Sequence, residues 1–228
     1  MKRAILLASL LSLSLPEPGT SGDPAISEYD PVFSFPVSMH DDALRHHPFV
    51  EHSKTTAVVR ATFVQEKRIK ALRRPLISSG GFLFSKQHGA RWQTRKPFTN
   101  TVVITQDRLT QINRHGDVET FSSSRHPMMK AMTKVFTAML AMDPDEVPQH
   151  FGVHARIQDA TWTIGLVPRE AKMRKLIHAI ILQGDGPHMT QLTMFEQYGD
   201  ITSFRFAYEN DRHAPLTAGE LAAFAPAP

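Results

Sequence analysis

No cysteine occurs among the 228 residues. Disulfides, thiolate nucleophiles and cysteine-ligated zinc are therefore excluded, and no lipid can be attached through an N-terminal cysteine. No apolar run reaches the ~20 residues that a membrane-spanning helix requires. Basic residues outnumber acidic ones, for a net charge of +4, but they are scattered and form no block that would read as a nucleic-acid arm. The sequence also lacks a nucleophile-elbow motif and a glycine loop that could cradle phosphate. Twelve histidines are present, yet His46 and His47 are adjacent and point apart on any regular element, and no third ligand completes a set with His52. Asp143 and Asp145 flank Pro144 and read as turn residues. The expectation is a protein that is not an enzyme and carries no metal or cofactor.

What is present begins with a charged start, Met1-Lys2-Arg3, followed by an apolar stretch over residues 4–15 that Pro16 stops. This pattern predicts a secretory signal over residues 1–22, with cleavage somewhere between 14 and 25, and a periplasmic location. Residues 16–37 are rich in Pro, Gly and Ser and read as a loosely held tail. Residues 23–52 form the linker, with a short helix over 40–47 that Pro48 ends. From residue 53 the character changes. Short β-branched and aromatic runs recur over 56–65, 80–86, 90–94, 101–105, 109–113 and 118–121, punctuated by Gly, Asp and Pro. They resume over 151–157, 161–167, 177–183, 189–196 and 201–208, with a helical turn near 170–175. Between the two series, Met128, Met132, Val135, Phe136 and Met139 recur at spacings of three and four, predicting a helix over 127–142. Residues 215–228 read as a loosely packed tail.

The expected fold is mainly β: a strongly curved antiparallel sheet, or incomplete β-barrel, of about 10–11 strands with an inserted helical lid, occupying residues 53–214. So many strands cannot stay flat, because each twists against the next. A curled sheet has a concave apolar face that must be covered. One helix can cap such a face but cannot fill it, and methionine adapts to partners of variable shape. The arrangement suits a hollow that holds acyl chains. Alternation along the strands assigns Phe63, Phe82, Phe84, Trp92 and Ile104 to the lining. Met128, Met132, Phe136 and Met139 belong to the lid. Pocket and ordinary core share one surface in this architecture, so the pattern admits both readings. The basic run Lys67, Arg68, Lys70, Arg73 and Arg74 falls in the first hairpin turn, either as a solvated loop or as a docking surface for a partner or anionic head groups.

Residues 63–84 contain Phe63-Val64-Gln65 and then Pro75-Leu76-Ile77-Ser78-Ser79-Gly80-Gly81-Phe82. They resemble the opening hairpin of LolA-type outer-membrane lipoprotein carriers, in the LolA-like branch. Gly89-Ala90-Arg91-Trp92, with Pro97 after it, resembles that family's Gly-x-x-Trp strand, and Val103-Ile104-Thr105 its next strand. The likeness is strongest over residues 60–115. It implies an incomplete barrel with a helical lid and a monomer that carries lipid-modified cargo through the periplasm. The cargo would arrive from an inner-membrane ABC-type release complex and leave to an outer-membrane acceptor. The family's lid-contacting arginine falls at Lys86, which lacks the planar fork of a guanidinium. Lipoprotein, free lipid and glycolipid therefore all stay open as cargo. A second reading is a non-catalytic envelope adaptor that binds a protein through its sheet edge or basic hairpin.

Overall fold

The structure is a computed structural model and describes residues 29–122, 143–208 and 214–225. Eleven antiparallel strands form one sheet: β1 (Val58–Arg68), β2 (Leu76–Ser85), β3 (Gly89–Lys96), β4 (Asn100–Ile104), β5 (Arg108–Ile112), β6 (Val118–Ser122), β7 (Phe151–Gln158), β8 (Thr161–Pro168), β9 (Ile177–Asp185), β10 (His188–Glu196) and β11 (Ile201–Tyr208). Their spatial order is β6-β5-β4-β3-β2-β1-β11-β10-β9-β8-β7. Two meanders are thus joined where the first strand pairs with the last, with Phe63 opposite Phe206 and Gln65 opposite Phe204. β6 and β7 do not pair, so the barrel stays open, as the curved-sheet reading expects. Five short helices accompany the sheet among the described residues: α1 (Asp42–Arg45), α2 (Pro48–Thr55), α3 (Val147–His150), α4 (Ala171–Arg174) and α5 (Ala218–Ala222). The methionine segment 127–142 lies outside the described residues.

Strand alternation sorts side chains onto two faces. The concave face carries the main core, in which Phe63, Phe151, Phe204, Ile164, Leu166, Leu182 and Val102 are almost fully buried. Each such side chain contributes roughly 1.5–3 kcal/mol by leaving water. The N-terminal helices belong to this core, through Leu44, Phe49 and Val50. The short helix expected over 40–47 is present as α1, and what the sequence did not announce is a second helix: Pro48 opens α2 at its first turn, where its missing N–H costs nothing.

The convex face carries two smaller clusters. One joins Val32 and Phe33 to Ala179, Ile181 and Phe195. Residues 29–37, expected to be loose, are instead pinned there. Phe33 lies so close to Gly165 that a β-carbon would come within 2.6 Å of its ring. Val37 N and Ala155 N also make backbone bonds, to Val153 O and Phe35 O, that cover the β7 edge. This satisfies an edge that would otherwise invite pairing with another chain. The second cluster joins Phe224 to Val58, Leu83 and Val103. The C-terminal stretch is thus packed through α5 and Phe224, contrary to the loose tail expected.

Candidate functional site

The concave face bears an aromatic floor assembled from four strands. Trp92 on β3 meets Phe63 on β1 at 4.7 Å between ring centroids, Phe82 on β2 at 5.0 Å and Phe204 on β11 at 4.8 Å. Phe206 continues the floor along β11, 6.0 Å from Phe82. Most of these contacts are tilted or edge-on, the arrangement that aromatic quadrupoles favour. The register explains the grouping: Phe82 lies opposite Trp92 and also opposite Ala61, so the rings fall on adjacent rows of one face.

Beyond this floor, toward the start of β1, a cleft opens to solvent. Its sheet side is formed by Val59, Ala61, Phe82, Phe84, Phe206 and Tyr208. Its cover is α2, which presents Phe49, His52 and Ser53 together, as spacings of three and four on a helix require. The β9–β10 hairpin closes a third side with Pro187, His188 and Met189. Tyr208 donates its hydroxyl proton to Met189 O at 2.6 Å, which places an apolar ring in the wall and settles its polar tip. His52 and His188 meet edge to face at 5.4 Å at the same end. Phe49 stacks on Trp162 at 4.0 Å and fixes the helix against the sheet.

Of the lining expected from sequence, Phe82 and Phe84 stand in the cleft wall. Phe63 and Trp92 lie in the packed floor behind it, and Ile104 is buried in the core cluster farther along β4. Met128, Met132, Phe136 and Met139 lie outside the described residues. Phe49, Met189, Phe206 and Tyr208 join the site without having been expected from sequence, and His52 enters it as a wall residue where the sequence offered it only as part of an incomplete metal set. Phe206 and Tyr208 carried a legible signal, since they share a face with Phe204. The α2 residues carried none, because Pro48 concealed the helix.

Lys86 stands just past the end of β2. Its ammonium donates to Ser53 O at 3.2 Å and Lys54 O at 2.7 Å, two carbonyls in the last turn of α2. Those carbonyls have no partner within the helix and sit at its negative pole. Lys67 departs from its expected place in the basic turn. It points into the concave side, 3% exposed, and its ammonium donates to both Glu196 carboxylate oxygens, at 2.8 and 3.1 Å. Thr202 donates to the same carboxylate. An eleven-residue strand (β1) carries Lys67 inward by alternation before the turn begins. Its neighbour Arg68 is exposed and pairs with Glu66 at 2.6 Å.

A search of curated proteins finds no match for this chain. Among solved structures, a lipoprotein of Mycobacterium tuberculosis, LppX, aligns at TM-score 0.42 and 8% identity, covering 75% of this chain and 93% of that one. A DUF1329 family protein of Desulfovibrio piger aligns at TM-score 0.41 and 8% identity, covering 77% and 95%. A LolA superfamily protein of Nitrosomonas europaea aligns at 0.39 and 7%, covering 70% and 90%. Assignment does not rest on likeness at this level. It rests on the family model for LolA-like outer membrane lipoprotein carrier proteins, which matches residues 43–218. That span runs from α1 through all eleven strands to the start of α5, and by it the chain belongs to the LolA-like lipoprotein carrier family.

Proposed function

We propose that the protein is a periplasmic carrier that takes acyl chains of lipoproteins or lipids into the cleft beneath α2 and conveys them from the inner to the outer membrane. The observation that carries this reading is the cleft itself. It is a solvent-open hollow with an aromatic and aliphatic wall, no Asp, Glu, Lys or Arg in its lining, and a helical cover on one side. A hollow of that kind favours apolar chains of variable length, at about 0.8 kcal/mol per buried methylene. Eight methylenes would supply about 6 kcal/mol without any ionic contact. In this reading an inner-membrane ABC-type release complex is the donor and an outer-membrane protein the acceptor, as the resemblance of the opening hairpin implies. Exposed Arg68 belongs to the surface such partners would meet, and Lys86 holds the cover as the latch.

The test uses delipidated full-length protein and a fluorescent fatty-acid probe. Val59, half-buried in the cleft wall, is replaced by tryptophan to fill the hollow without removing a core side chain. The wild type should bind the probe and Val59→Trp should lose it while melting at a similar temperature. Mass spectrometry of protein taken from a bacterial envelope should show bound acyl lipid. A wild-type protein that neither binds the probe nor carries lipid overturns the reading.

A further inference from the structure

On the opposite, convex face of the sheet lies a recess of a different chemistry, open to solvent. The pairing register builds it. Leu83 of β2 stands opposite Arg60 of β1 on one side and Arg91 of β3 on the other, so two guanidiniums flank one aliphatic floor residue. Gly81 and Gln93 form the next row, and Arg95 folds back over it. A β-carbon at Gly81 would come within 2.9 Å of an Arg95 terminal nitrogen. The guanidinium therefore rests directly on the glycine backbone, where any side chain would displace it.

One carboxylate reaches the recess: Glu220, from α5. Its bonding capacity is already committed. Arg60 Nε donates to Glu220 Oε1 and Arg60 Nη2 to Oε2, both at 2.7 Å. The backbone N–H and hydroxyl of Thr217 donate to Oε2 at 2.8 and 3.0 Å. Arg60 is also tied to Ala214 O and Pro215 O, so it acts as the anchor for the C-terminal arm. Arg91 and Arg95 are left with no hydrogen-bond acceptor or ion-pair partner among the described residues. Arg91 is half-buried; burial and the nearby Arg95 charge act against its charged form, more strongly than the Glu220 carboxylate favours it. Two guanidiniums thus line a partly enclosed space, with their directed donors unused. Three arginines against one carboxylate leave the recess with a net charge of +2.

We propose that this recess binds a phosphate group, held by the forked donors of Arg91 and Arg95 above the Gly81–Leu83 floor. Planar guanidiniums match tetrahedral phosphate oxygens pairwise, and a dianion balances the excess charge of the site. The site lies across the sheet from the acyl cleft and does not depend on the carrier reading. The phosphate belongs either to a free anion or to a lipid head group, and the two sources share this recognition chemistry.

The test is isothermal titration of full-length protein with inorganic phosphate, and separately with phosphatidylcholine vesicles containing about one-fifth phosphatidic acid. Phosphate should bind at one site per chain and weaken as salt is added. Arg91→Gln and Arg95→Gln should each lower affinity about tenfold or more, as loss of a charge-assisted pair implies. Arg205→Gln, on the same face but outside the recess, should bind as the wild type does. Because Arg95 is exposed, its substitution tests the site without disturbing the core. Binding to both probes identifies a lipid head group, and binding to inorganic phosphate alone identifies a free anion. The proposal is overturned if neither probe binds, if acetate at equal ionic strength gives the same heat, or if Arg95→Gln and Arg91→Gln leave affinity unchanged.

Discussion

Replacing Lys86 with methionine keeps the aliphatic stem and removes only the ammonium that holds the end of α2. Two charge-assisted hydrogen bonds are lost, to Ser53 O at 3.2 Å and Lys54 O at 2.7 Å. In a dry site each would be worth roughly 1.5–3 kcal/mol. Lys86 is exposed, so water competes for both carbonyls and for the ammonium. A net loss of about 1 kcal/mol is the appropriate scale. The loss falls on α2 alone, because the carbonyls belong to its last turn while Phe49 and Val50 still hold its first. About 1 kcal/mol raises the population of the lifted helix roughly fivefold. Hydrogen exchange followed by mass spectrometry reads this directly. Amides of residues 51–56 should exchange about fivefold faster in Lys86→Met, with β1 amides unchanged. Lys86→Arg should restore protection, since a guanidinium also supplies two directed donors. Equal exchange in the wild type and Lys86→Met would refute the latch. So would acceleration spread evenly over the sheet, which would mark Lys86 as a global stabiliser.

The buried pair Lys67–Glu196 gives a stability prediction: Glu196→Ala strands an ammonium 3% exposed and should cost on the order of 3–5 kcal/mol, read as a fall in midpoint in urea. The double replacement Lys67→Met with Glu196→Leu should recover most of that loss, because it removes both charges together. Acid should undo the C-terminal arm. The hydrogen bond from Arg60 holds the Glu220 carboxyl down from 4.5 to about 2. A depressed carboxyl stabilises the fold fully above its unfolded value, so this contribution is complete above about pH 4.5 and disappears as the pH falls toward 2. After screening at this part-exposed site it amounts to about 1–2 kcal/mol. The melting temperature gap between the wild type and Glu220→Gln should accordingly be wide near pH 6 and narrow as pH 2 is approached; a gap independent of pH would count against the pair.

The β rhythm was legible because alternation is local. The runs 151–157 and 161–167 became β7 and β8, each extended by one residue, and 201–208 became β11. The same alternation placed Phe82, Phe84 and Trp92 inward, where the structure has them. Where punctuation is ambiguous the reading failed. A proline can end a helix or open one, and Pro48 opens α2 because its neighbours Phe49 and Val50 find a core to enter. Residues 29–37 have no period of their own, yet Val32 and Phe33 are buried, because Gly165 leaves a gap that both side chains fill. Lys67 looked like part of a solvated turn until the strand proved long enough to turn it inward.

By itself the amino-acid order determined the strands, their inward and outward faces, and the family hairpin around Gly80 and Gly81, since each follows from the short-range geometry of a pleated backbone. Tertiary structure alone decided which side chains enclose the cleft and which meet in the convex recess. Phe49 reaches Tyr208's neighbourhood from the other end of the chain, and Glu220 reaches Arg60 across 160 positions. No local period encodes such meetings; they follow from the joining of β1 to β11 and from the docking of both chain ends onto the curved sheet.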